Sequence, residues 1–131
     1  MKQILLLLLL CVSAAVLKAQ PQNLFANFGV IWNDYSMTDR GVVSAIRVQS
    51  PNTGTAQFLF NKAANDWSEK WCGSTTNYTR TLNQKLSGEA YYFTSGTWDK
   101  NMEFPMITSR YYTFIVGENA ASNNDLSVIE T

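Results

Sequence analysis

Residues 65–71, Asn-Asp-Trp-Ser-Glu-Lys-Trp, place two indole rings four positions apart among amide and charged side chains. Farther along, Asn77-Tyr78, Tyr91-Tyr92, Trp98 and Tyr111-Tyr112 repeat the association of aromatic rings with amides such as Asn83, Gln84 and Asn101. That mixture suits a sugar. A pyranose has a C–H face that packs on an aromatic ring and a rim of hydroxyls that needs amide, carboxylate or guanidinium partners. Rings set at an angle follow a curved α-glucan, whereas a coplanar row matches a flat chain such as cellulose. The candidate ligand-binding residues are Trp71, Trp98, Tyr78, Tyr91, Asn77 and Lys100. Trp71 lies between Lys70 and Cys72 in an expected loop, and Trp98 in the polar tip Ser95-Gly96-Thr97-Trp98-Asp99-Lys100. Each ring also has a packing use, because a buried Trp or Tyr fills about 150–250 Å² of a small core. Trp32, on the apolar face of the first expected strand, and Trp67, just after an Asn-Asp turn, are read as core.

Other chemistry is scarce. The chain has no histidine, which removes Ser-His-Asp and Cys-His nucleophiles and the commonest zinc ligand. Its seven glycines are dispersed, so no phosphate-binding loop is present. Two carboxylate pairs, Asp34 with Asp39 and Asp66 with Glu69, have the residue types for glycosidic acid–base chemistry. The simpler expectation is that Asp34, Asp39 and Asp66 cap turns and that Glu69 is solvated. A calcium site on Asp34, Asp39 or Asp125 lacks EF-hand spacing. The expectation is a protein that is not an enzyme, with no cofactor and no metal.

The elements that must position the rings come after a leader. Lys2 begins a short positive segment, residues 4–12 form an apolar run, and Leu17-Lys18-Ala19 ends in a small residue, the pattern of a signal peptide over residues 1–19. The apolar run is shorter than the roughly 20 residues of a membrane-spanning helix, and Cys11 inside it lacks the small residues that precede a lipidated cysteine. A secreted or cell-surface protein is expected. Without Lys2 and Lys18, eight basic residues face ten acidic ones. The basic residues are scattered singly, unlike the clustered Lys and Arg of a nucleic-acid-binding surface. Cys72 is then the sole cysteine, which leaves no intramolecular disulfide and an expected buried thiol.

Residues 20–131 fit one domain. Their apolar pattern has period two rather than 3.6. Leu24, Ala26, Phe28, Val30 and Trp32 alternate with polar neighbours, and Val42, Ser44, Ile46 and Val48 do the same. The turn Pro51-Asn52-Thr53-Gly54 joins this second run to residues 56–60 as an expected hairpin. Residues 62–73 read as a loop with one helical turn, residues 82–86 as a weak strand or connector, and residues 91–93, 102–104, 111–116 and 126–129 as strands. The fold class expected is all-β, a single immunoglobulin-like antiparallel β-sandwich. A strand so near residue 131 is the pattern of a front module in a longer protein.

The run Phe58-Leu59-Phe60-Asn61, Asn65-Asp66-Trp67-Ser68 and Trp71-Cys72-Gly73, with Asn101-Met102-Glu103-Phe104-Pro105 and Arg110-Tyr111-Tyr112-Thr113-Phe114 later, resembles β-sandwich modules of exported bacterial starch-binding and amylase-associated proteins. The likeness spans residues 58–116. Cys72 and Arg110 stand where those modules usually have glycine. The resemblance implies a non-catalytic carbohydrate-binding module for an α-glucan, attached to further domains of the same protein, with Trp67 in a packing role. The alternative is a structural spacer or docking domain with the same fold and its rings buried.

Overall fold

Gly29 is the first place where the sequence periodicity breaks. It adopts φ 89°, a conformation that costs a residue without Cβ little, and the long first run folds there into two strands. The computed structural model describes residues 20–95, 100–118 and 123–131. The expected signal peptide and Trp98 lie outside them. Among the described residues the chain forms β1 (Asn23–Asn27), β2 (Trp32–Ser36), β3 (Thr38–Asp39), β4 (Val43–Gln49), β5 (Gly54–Ala63), β6 (Asp66–Cys72), β7 (Tyr78–Thr79), β8 (Lys85–Phe93), β9 (Met102–Met106), β10 (Tyr111–Gly117) and β11 (Asn124–Glu130), with no helix.

The strands run β2-β1-β5-β6-β8-β11-β10-β4-β3, and each neighbouring pair on this path is antiparallel. β9 pairs with the first half of β5, and β7 lies parallel to β9. Long β8 belongs to both halves of the sheet: residues 91–93 pair with β6, and residues 85, 86 and 90 pair with β11. At the far end only Met37 separates β2 from β3, and its N–H donates to the Gln22 carbonyl at 2.9 Å. The sheet is therefore nearly closed, like a barrel.

Alternation decides which side chains enter the barrel. Leu24, Ala26 and Phe28 from the first run, Ala56, Phe58 and Phe60 from β5, and Met102, Phe104 and Met106 from β9 all point inward and are buried. Tyr112, Phe114, Val116, Leu126 and Val128 face them from β10 and β11. Phe114 is the hub, with ring contacts to Phe28, Phe58, Phe60 and Phe104 at 5.1–6.5 Å. These are inclined, edge-type contacts that suit the opposite charge of ring face and ring edge.

Three expectations about elements are corrected. β4 and β5 do not form a hairpin: β4 pairs with β3 and β10, whereas β5 pairs with β1, β6 and β9. The Pro51–Gly54 turn instead carries the chain between the two halves, where the Asn52 side-chain amide donates to the Phe28 carbonyl at 3.0 Å. Residues 62–73 are not a loop. A two-residue turn at Ala64-Asn65, with Asn65 at φ 61°, closes a β5–β6 hairpin, because Asn tolerates the left-handed conformation such turns require. Of the weak run at 82–86 only residues 85 and 86 are strand, and they belong with the strong run at 91–93 to one element, β8, after a turn at 82–84.

Candidate functional site

The same alternation that fills the core turns Phe25, Leu59 and Asn61 onto the outside of the sheet. Cross-strand register aligns them in rows: Trp32 beside Asn27 beside Gln57 beside Glu103, then Asp34 beside Phe25 beside Leu59, then Ser36 beside Asn23 beside Asn61 beside Lys70. Leu59, Asn23, Asn61 and Lys70 are buried on this outer face, so it carries a second, smaller packed layer. Asn23 anchors that layer. Its side-chain amide donates to Asp34 Oδ1 and to Asn61 Oδ1, each at 2.7 Å, and the Asn61 amide donates to the Ala63 and Asp66 carbonyls.

Above this layer stand three partly buried rings. Trp32 stacks on Phe25 with centroids 5.0 Å apart and planes 22° apart, and Trp67 meets Phe25 edge-on at 5.0 Å and 83°. A register shift after Asn61 frees Trp67 from strict alternation and lets it reach Phe25. Trp32 lies on edge strand β2, and its one ring contact among the described residues is with Phe25, so its second face has no aromatic partner. Asp34 is exposed and lies two residues along the same strand, about 7 Å from Trp32 at the usual strand rise. The arrangement offers an apolar ring face with a carboxylate and the Asn27 amide beside it.

The expected site residues divide. Trp71 is wholly buried in the core, tilted against Tyr92 at 5.3 Å, and offers no face to a ligand. The reason is its strand: β6 alternates, so Lys70 and Cys72 face outward and Trp71 inward. Trp98 lies outside the described residues. Tyr78, Tyr91, Asn77 and Lys100 gather around β7 and β8. Tyr91 is the cross-strand partner of Cys72, and Tyr78 meets it edge-on at 6.4 Å. Gly73 permits this approach, since a Cβ there would lie 2.6 Å from Tyr78 Cβ. Buried Arg80 lies over the Tyr78 ring at 3.6 Å and pairs with Glu89 at 2.8 Å. Lys100 Nζ lies 4.7 Å from the Phe93 centroid. Exposed Asn77 accepts a hydrogen bond from Gln57 at 3.3 Å and so links this tyrosine patch to the Trp32–Phe25–Trp67 patch.

Trp32 and Trp67, expected in the core, are outer-face rings, and Phe25 was missed altogether. The signal for Trp32 was Gly29, which reverses the chain and cancels the alternation that aligned Trp32 with Leu24. The carboxylates are already engaged. Asp39 and Asp66 do cap turns, accepting from the Gly41 and Ser68 backbone amides. Asp34 instead sits within β2, bound to Asn23. Glu69 is not simply solvated, because it accepts from the Tyr92 hydroxyl at 2.9 Å and pairs with Lys62 at 3.3 Å. The Tyr92 hydroxyl is held above its ordinary value by that bond, and the Asp66 carboxyl is held below its own by the Ser68 hydroxyl. No cluster of three His, Cys, Asp or Glu side chains suited to a metal ion occurs among the described residues, and they include no helix long and apolar enough to cross a membrane. Compared with known proteins, the chain matches no protein-family model, no curated protein and no solved structure.

Proposed function

We propose that this domain is a non-catalytic carbohydrate-binding module of an exported protein, with its ligand seated along Trp32, Phe25 and Trp67. One observation carries this: three partly exposed rings stand together on an outer sheet face, beside the Asp34 carboxylate and the Asn27 amide. An apolar C–H face and its hydroxyl rim match that pairing of ring and polar group. The steep angle between Phe25 and Trp67 favours a curved α-glucan over a flat β-glucan. The leader pattern supports export, and the likeness to starch-associated modules supports both the ligand class and an immunoglobulin-like variant of the nearly closed sheet. Burial of Trp71 favours the second reading, a structural spacer whose rings serve packing.

Affinity electrophoresis separates the two. The protein is expected to be retarded in gels containing amylose or pullulan and not in gels containing hydroxyethyl cellulose, with retardation lost in Trp32→Ala. Unchanged mobility in every polysaccharide would leave the spacer role in place of the binding role.

A further inference from the structure

On the other half of the barrel, the outer face of β4 carries a cleft of about 270 Å³ lined by Thr38, Arg40, Ala45, Ile46, Arg47 and Thr113. Its shape follows from the register. Thr38 pairs with Ala45 and Thr113 with Arg47, which sets all four on one face with the small Ala45 as the floor. β3 is two residues long, so no strand covers the edge of β4 beyond Ala45. No carboxylate lines the cleft. This is unusual for this molecule, where Lys62, Arg80, Lys85 and Arg110 each face an acidic side chain. Arg40 and Arg47 form no ion pair among the described residues. Arg47 is nonetheless held in place: its guanidinium lies 4.0 Å over the Tyr111 ring, and Nη2 donates to Thr131 Oγ1 at 3.4 Å. A cation fixed by stacking keeps donors for an oxyanion with little ordering left to do.

We propose that this cleft binds a small ligand through an oxyanion group, a carboxylate or sulfate held between Arg40 and Arg47 with the Thr38 and Thr113 hydroxyls beside it. The volume lies just below the roughly 300–1,000 Å³ of drug-sized ligand sites, which suits one acidic sugar or a small acid. The cleft uses residues of β3, β4 and β10 and none of the Trp32 face, and the proposal stands whether or not that face binds a glycan.

Residue-resolved amide NMR of the protein at low ionic strength tests it, with galacturonate, neutral galactose and inorganic sulfate as separate probes. Galacturonate or sulfate is expected to shift the amides of Thr38, Ala45, Arg47 and Thr113, while galactose leaves them in place. Shifts from galacturonate alone identify an acidic sugar as the source, and shifts from sulfate with or without galacturonate identify a general oxyanion site. Arg40→Ala and Arg47→Ala should each weaken the interaction roughly tenfold or more, the weight of one charge-assisted hydrogen bond, and added salt should weaken it further. Because both side chains are exposed, neither variant should alter the fold. Absence of shifts with both anions, equal shifts with galactose, or shifts that persist in the double variant would overturn the proposal.

Discussion

Trp71 and Trp32 have the same side chain and opposite fates, and the difference is set by which face of a strand each occupies. Trp71 alternates into the core beside Tyr92, whereas Trp32 follows a chain reversal and faces outward. Trp71→Ala should cost about 3–5 kcal/mol, the usual range for a deleted buried aromatic. Trp32→Ala should cost about 0.5–1.5 kcal/mol, the value of a lost ring pair. Urea denaturation of the two variants beside the parent checks the order. Tyr112 gives a pH signature. Burial pushes its hydroxyl above its ordinary value of 10.0, and the Glu130 contact adds to this while the Ile107 amide opposes it. The folded state therefore keeps the proton longer than the unfolded chain. Its contribution is complete below about pH 10 and is lost as pH rises through the folded value. Urea midpoints should fall more steeply on the alkaline side in the parent than in Tyr112→Phe, and parallel slopes would show that another group governs the decline.

At the scale of elements, the sequence made the strands legible and hid their pairing. Period-two alternation located β4, β5, β9, β10 and β11: β9, β10 and β11 bury every second side chain along most of their length, β5 sends Ala56, Phe58 and Phe60 into the core, and β4 packs partly buried Ile46 and Val48 against it. β6 was obscured by its composition. Asp66, Ser68, Glu69 and Lys70 make it look like a loop, yet Lys70 is buried on the outer face and Glu69 is held by Lys62 and Tyr92. Pairing depends on contacts distant in sequence, so the Pro51 turn could not reveal that it crosses between halves. Tyr78, Tyr91, Asn77 and Lys100 were named from their chemistry alone and their ligand role stays an expectation, whereas Phe25 carried no local signal and the outward face of Trp32 needed the Gly29 reversal. The tyrosine patch rests on the tie between the residue following β7 and β8. Arg80 has only 6% of its side chain exposed and depends on Glu89 for its charge partner. Glu89→Ala should therefore cost about 3 kcal/mol, because it strands a buried guanidinium. Thermal unfolding checks this, and a near-neutral result would mean that Arg80 turns outward on losing its partner.

For the whole molecule, the nearly closed sheet joins two unlike exteriors. One half carries rings and amides over the packed Asn23–Asn61–Lys70 layer, and the other carries Arg40 and Arg47, with no ion pair among the described residues, beside β4. Each carboxylate of the two acid–base pairs considered from the sequence accepts a local hydrogen bond: Asp34 from Asn23, Asp39 from Gly41, Asp66 from Ser68 and Glu69 from Tyr92. Ten basic residues balance ten acidic ones and are scattered along the chain, which fits a neutral ligand on the ring-bearing face. The central claim is that this face takes an α-glucan, and residue-resolved NMR during titration with maltoheptaose tests it most directly. Shifts are predicted for the Trp32 indole N–H and for the amides of Phe25, Asn27, Asp34 and Trp67, with Trp32→Ala weakening binding by about 2 kcal/mol or more, as for an anchoring tryptophan. Shifts confined to other faces, or none at saturating oligosaccharide, would contradict it.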